Sequence, residues 1–219
     1  HFHNSSFYSI IKTELLKQRM SRMKILIVSD QENTYIWDHF DKEKFKDIEL
    51  IISCGDLKAS YLSFLVTMIP VPLLYVPGNH DIKYLQAPPE GCIDIDNQII
   101  TYKNIKIAGL GGCIEYTGGP FQYTENAMRK RTKKLIRSCQ RKGGLDIFVT
   151  HAPSLGVGDG DDWAHKGFEC FHDVYKTLAP SYHLHGHQHL NYGVNQKRIL
   201  TAQETTVING FSYYILDYT

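Results

Sequence analysis

Three observations predict an α/β fold built on a parallel or mixed sheet. Five short apolar runs end in Gly, Asp or His; segments of helical character separate several of them; and the C-terminal stretch alternates like antiparallel strands. Buried parallel strands read as continuous apolar runs, and ligands bind such sheets beyond the carboxyl ends of the strands.

The elements follow in order. The run at 24–28 leads into Asp30, and residues 37–45 are expected to form a short helix returning from it. The run at 50–54 leads into Gly55-Asp56. Behind it, 60–69 is a compact apolar helix that Pro70 and Pro72 bring to an end. The run at 73–76 enters Gly78-Asn79-His80-Asp81, and 87–91 is a loop. Residues 98–102 and 105–108 make a hairpin around Lys103-Asn104, and a glycine-rich loop begins at Gly109-Leu110-Gly111-Gly112. A helix is expected over 124–142. The run at 147–149 delivers His151, and the run at 182–184 delivers Gly186-His187-Gln188-His189. The stretch 192–218 suits two or three antiparallel strands.

Five separate segments thus bring carboxylate, amide and imidazole groups to one sheet edge. That pattern points to a metal site, and to one that holds two ions. A pair of divalent ions about 3.5–4 Å apart can hold a phosphoryl group, activate a water and stabilise the leaving oxygen. Such a pair needs an anionic ligand able to bridge both ions, for which Asp56 is the candidate. His151, His187, His189 and Asn79 fill the remaining positions without excess charge. Imidazole mixed with carboxylate and amide oxygen suits manganese, iron, zinc or nickel. No thiolate lies among these motifs, which argues against a structural zinc site.

From Met23 almost to the C-terminus, this series resembles the calcineurin-like metallophosphoesterases, whose pattern is D-x-H, G-D, G-N-H-[D/E], a lone H, and G-H-x-H. The resemblance implies a four-layer αββα sandwich of two stacked mixed β-sheets flanked by helices. It also implies a dinuclear-metal hydrolase of phosphate monoesters or diesters. One metal would be held by Asp30, Asp56 and His189, the other by shared Asp56 with Asn79, His151 and His187. His80 would protonate the leaving oxygen or stabilise the transition state, and Asp81 would orient and charge His80. The chain departs from the pattern at one position, where Asp30-Gln31-Glu32 replaces D-x-H. Glu32 then ligates the first metal through its carboxylate, or holds a metal-bound water, or marks a degraded site.

Composition agrees with an enzyme of one domain. The 219 residues suffice for a well-filled core, and 42% hydrophobic with 21% charged residues is ordinary for a globular protein. A net charge of +1 gives no sign of an overall nucleic-acid or anionic-membrane binder. Five cysteines without C-x-x-C spacing suit reduced, mostly buried thiols and a cytoplasmic location, and no apolar stretch suggests a membrane span. Residues 1–22 read as an extension or cloning remnant ahead of a metallophosphoesterase domain over 23–219, with no secretory signal.

Other motifs carry weaker readings. Helix 124–142 holds eight Lys or Arg residues beside a seam of Met128, Thr132, Leu135 and Cys139. A surface helix with a solvated basic face is the plainer reading, against a nucleic-acid role. His183 is expected to hydrogen-bond structurally, and His185 to do so or to support the metal ligands. The 154–167 loop is read as a flexible rim or a solvated acidic turn, with Trp163, His165 and Lys166 as substrate-facing candidates. EF-hand spacing is absent there. The substrate class is a small-molecule or nucleotide phosphate ester. Two alternatives stay open: a catalytically weakened metal-binding scaffold, and a nuclease or nucleotide phosphodiesterase.

Overall fold

The computed structural model describes residues 23–191 and 197–219. The expected extension at 1–22 and the start of the 192–218 stretch lie outside the described residues.

Two mixed sheets stack face to face. In the first, β1 (Met23–Ser29), β2 (Ile48–Ser53), β3 (Leu73–Tyr75) and β4 (Ile93–Asp94) run parallel side by side. The second contains β5 (Ile99–Tyr102), β6 (Ile105–Leu110), β9 (Ile147–Thr150), β10 (Tyr182–His185), β11 (Ile199–Ala202) and β12 (Thr205–Asn209), in the order β11-β12-β10-β9-β6-β5. Between β6 and β9, β7 (Cys113–Ile114) and β8 (Gln122–Tyr123) form a small ladder. The last strand, β13 (Ser212–Tyr218), crosses back to the first sheet and pairs antiparallel with β1.

Strand period explains the layers. Successive side chains point to opposite faces, so Ile25, Ile27, Leu50, Ile52 and Leu74 face inward. They meet Ile107, Ile147, Val149, Leu184 and Ile208 of the second sheet in one buried cluster. Leu26, Val28, Ile51 and Leu73 point outward instead. They pack on Ile36 of α1 (Thr34–Asp38), Phe45 of α2 (Lys42–Phe45), and Tyr61, Leu62 and Leu65 of α3 (Ala59–Met68). On the opposite outer face, Ala108, Leu110 and Phe148 meet Met128, Leu135 and Cys139 of α4 (Glu125–Arg141) and Val174 of α5 (His172–Leu178). The layers are therefore helix, sheet, sheet, helix.

Three local expectations change. The helix expected at 37–45 is two helices, because Asn33 caps the first by accepting from the Ile36 N–H and Asp41 caps the second by accepting from the Glu43 N–H. Gly109 and Leu110 belong to β6, where they pair with Val149 and Thr150, so the glycine-rich loop starts at Gly111. In the C-terminal stretch β11 and β12 pair antiparallel, but β12 also lies parallel to β10. Lys103 and Asn104 turn the hairpin with φ of 47° and 67°, as a tight two-residue turn requires.

Helix α4 keeps its expected seam buried. Several of its cations are engaged: Arg131 forks onto Asp96 at 2.6 Å, and Arg129 meets Glu125 and Glu169 at 2.9 and 3.0 Å. Among the described residues no helix is long and apolar enough to cross a membrane. All five cysteines are free thiols, and four are buried.

Candidate metal centre

The candidate ligands sit where strands end and the chain must turn sharply. Asp30, Asp56 and His187 follow β1, β2 and β10, and all three adopt positive φ, at 64°, 59° and 66°. A non-glycine residue held there costs about 1–3 kcal/mol and persists only where its surroundings fix it. The fixing bonds are present. The Asp30 N–H donates to the Gly55 carbonyl at 3.1 Å, and the His187 N–H donates to both Asp30 carboxylate oxygens at 3.0 and 2.9 Å.

Two glycines allow the strand ends to converge. A Cβ on Gly78 would lie 2.1 Å from Asp56 Oδ1, and one on Gly186 would lie 1.9 Å from Ser29 Oγ and 2.6 Å from Asp30 Oδ2. Neither position has room for a side chain, which accounts for the glycines of G-N-H-D and G-H-x-H.

Among the described residues, Asp56, His151 and His187 offer ligand atoms that all lie within 4.8 Å of one another. His151 Nε2 stands 3.3 Å from Asp56 Oδ2 and 2.9 Å from Asn79 Oδ1. Its Nδ1 donates to the Cys54 carbonyl at 2.8 Å, and His187 Nε2 donates likewise to the Ala164 carbonyl at 2.7 Å. A carbonyl that accepts the far N–H fixes the ring so that its other nitrogen is turned to the cluster, the usual preparation of a metal-binding histidine.

A cavity of about 440 Å³ opens over this cluster, lined by Asp30, Asp56, Asn79, His80 and His189 together with His187, Tyr116, Ala164 and His165. His80 projects into it with its side chain 74% exposed. Its Nε2 is 4.0 Å from Asp56 Oδ2, and its backbone N–H donates to Asp56 Oδ1 at 2.8 Å.

The electrostatics are those of a cation site holding a proton. Burial pushes Asp30 up to about 6. Burial also works to raise Asp56, but the adjacent His151 outweighs it and holds that carboxyl at about 2. Burial would lower His151, yet the charge of Asp56 carries it up to about 9. His187 falls to about 3 through burial and the charge of His151. One imidazolium thus balances the buried carboxylates, and a divalent ion would do so more completely. The donor set fits such ions.

A calcineurin-like phosphoesterase family model matches residues 23–191. The chain belongs to the calcineurin-like phosphoesterase family. Members of this family typically bind divalent metals, in keeping with the donors gathered here. A curated relative, the UPF0046 protein C25E10.12 of Caenorhabditis elegans, is 34% identical over 88 residues, 37% of this chain. The match spans 30% of that relative's length. Among solved structures, TT1561 of Thermus thermophilus superposes with a TM-score of 0.59 at 19% identity, covering 90% of this chain and 95% of the other. A dimetal phosphatase from Danio rerio superposes at 0.53 and 11% identity, covering 86% and 87%. At these identities the two structures share the fold.

Three expected residues have partners that the sequence did not suggest. Asp81 makes no hydrogen bond to the His80 ring among the described residues. It is buried, and its Oδ2 instead accepts from the N–H groups of Gly78 and Asp56, both at 2.8 Å. Unpaired backbone donors at the two turns claim the carboxylate first. Glu32 carries its carboxylate 3.4 Å from Lys58 Nζ. Trp163 donates from Nε1 to the Glu115 carbonyl at 2.9 Å and is not among the residues lining the cavity.

The other histidines divide cleanly. His183 is buried between Thr150 Oγ1 at 2.7 Å and Tyr175 Oη at 2.6 Å, a structural bridge. His185 is buried with Nδ1 3.0 Å from the Gly186 carbonyl. The 154–167 loop closes on itself, with Asp159 accepting from the Gly156 and Gly167 N–H groups at 2.9 and 3.1 Å. Tyr116 was not legible in advance. Its hydroxyl accepts from Asn79 Nδ2 at 3.1 Å, which points Oδ1 of that amide toward His151. A tyrosine five residues past the start of a glycine-rich loop gives no sequence signal of that.

Proposed function

We propose that this chain hydrolyses phosphate esters with two divalent ions, taken from manganese, iron, zinc or nickel. The observation that carries the reading is the approach of Asp56, His151 and His187 within 4.8 Å beside Asn79. In this reading Asp56, Asn79, His151 and His187 hold one ion, while Asp30, Asp56 and His189 hold the other. When bound, such a pair neutralises phosphoryl oxygens and brings the pKa of water from 15.7 toward about 7, supplying a nucleophile at neutral pH.

The protein's own groups do the rest. Asp56 carries the negative charge shared between the two positions, fixed through Oδ1 by the His80 N–H. The Cys54 and Ala164 carbonyls hold the His151 and His187 tautomers. His80, exposed at the cavity mouth, gives a proton to the departing alcohol. Asp81 acts through the backbone, keeping the turns that carry Asp56 and Asn79 in register.

The test is a panel of phosphate mono- and diesters assayed with manganese, nickel, magnesium and zinc in turn, with and without chelator. Hydrolysis that chelator abolishes and metal restores is the expected result. Two bound ions without turnover on any ester would leave a metal-binding scaffold.

A further inference from the structure

The Asp30 side of the proposed pair is short of donors. Asn79, His151 and His187 join Asp56 on one side, but only Asp30 and His189 join it on the other, and Lys58 competes for the Glu32 carboxylate at 3.4 Å. Another imidazole lines the same cavity. We propose that His165 is a ligand of the ion on the Asp30–His189 side, so that the 154–167 loop supplies the nitrogen donor that position 32 does not. This rests on the two-metal reading above.

The ring is prepared as the other two are. His165 Nδ1 lies 2.9 and 2.8 Å from the two oxygens of Asp162. A carboxylate only accepts, so Nδ1 donates to it and Nε2 is the nitrogen open to a metal. No partner meets that Nε2 among the described residues. A carboxylate behind the imidazole is the arrangement that fixes metal-binding histidines and raises their basicity. His151 and His187 use backbone carbonyls for the same purpose.

The turn that carries His165 is anchored toward the site. Asp162 caps it by accepting from the Ala164 and His165 N–H groups at 3.0 and 3.2 Å. Trp163 ties it to the Glu115 carbonyl, and the Ala164 carbonyl takes the His187 hydrogen. The His165 and His187 rings consequently stand 5.2 Å apart, centroid to centroid. His165 lies outside the tight Asp56–His151–His187 cluster, as Asp30 and His189 do. A substrate phosphate is the rival occupant for Nε2. Metal counting separates the two, because a phosphate contact at Nε2 leaves the ion stoichiometry unchanged.

The experiment counts metal rather than turnover. Elemental analysis and calorimetric titration with Co2+ are run on the wild type, His165→Ala, Asp162→Asn and Glu32→Ala. The wild type is expected to bind two ions. His165→Ala should keep one tight ion, which also reports that it is folded, and lose or weaken the second by about 100-fold. Asp162→Asn should weaken the second ion by about 10–100-fold, the usual cost of removing an outer partner. Glu32→Ala should bind both ions as the wild type does. Unchanged stoichiometry and affinity in His165→Ala would overturn the assignment, whether or not KM rises. A loss in Glu32→Ala matching that in His165→Ala would also overturn it. A wild type that binds no pair of ions would instead refute the two-metal reading itself.

Discussion

Asp81 reaches the backbone of Asp56: its Oδ2 accepts the Asp56 N–H at 2.8 Å, and the same oxygen accepts the Gly78 N–H at 2.8 Å. One buried carboxylate therefore clamps the turn after β2 to the turn after β3. Asp81→Ala should release both turns and weaken metal binding, whereas Asp81→Asn retains an acceptor oxygen and should bind metal nearly as the wild type does. The pH dependence separates them further. Burial and the charge of Asp56 raise Asp81 from 3.8 to about 6, so its folded-state proton stabilises the metal-free protein below pH 3.8 and is lost as pH rises through 6. Asparagine stands in for the protonated acid. In chelator, urea unfolding of Asp81→Asn should show a flatter stability profile between pH 4 and 7. An unchanged profile would mean that Asp81 is ionised in the fold.

How much of this was legible beforehand follows from which signals are local. The five strands were, because strand burial on both faces writes itself as an apolar run, and the Gly-containing motifs mark where strand ends must touch. The split of the 37–45 helix had its signals in Asn33 and Asp41, both capping residues, but the apolar spacing across Phe40 obscured them. The role of Asp81 was not legible. A carboxylate next to a histidine in sequence gives no information about which donors surround it in space. Tyr116 and the anchoring of His165 depend on loops from different parts of the chain meeting, and no periodicity records that.

Metal should displace a proton from His151. Burial alone would lower this ring, yet the Asp56 charge carries it to about 9. The folded pKa thus exceeds the unfolded value near 6.5. The ion pair stabilises the metal-free fold fully below pH 6.5, and its contribution is lost as pH rises through about 9. At pH 7.5 metal loading should release about one proton per chain from this group, and apparent affinity should climb about tenfold per pH unit toward pH 9. Calorimetry in buffers of different ionisation enthalpy measures the release. Zero net release at that pH would show that His151 is neutral before metal arrives.

Gly186→Ala should damage both metal positions, because the Asp30 carboxylate it displaces also holds the His187 N–H. The added methyl would meet Ser29 Oγ at 1.9 Å and Asp30 Oδ2 at 2.6 Å, and both belong to the end of β1. Overpacking of this kind costs about 1–3 kcal/mol, and the displaced carboxylate would lose its two bonds from the His187 N–H. The expected result is a lower Tm together with weakened binding of both ions. Unchanged binding of both ions would contradict the placing of Asp30 and His187 at this turn.

His80 offers the sharpest test of the chemistry. Its backbone N–H, which holds Asp56 Oδ1 at 2.8 Å, survives truncation of the side chain, so His80→Ala should bind metal like the wild type. What it loses is the exposed imidazole at the cavity mouth. A general acid is worth a factor on the order of 10² to 10⁴, and only where the leaving group needs the proton. Turnover of an alkyl phosphate should therefore fall by about 10² or more. A nitrophenyl phosphate, whose phenolate departs without protonation, should be hydrolysed with a much smaller loss. Equal losses on the two substrates would show that His80 stabilises charge on the transferring phosphoryl group rather than delivering a proton to the leaving oxygen.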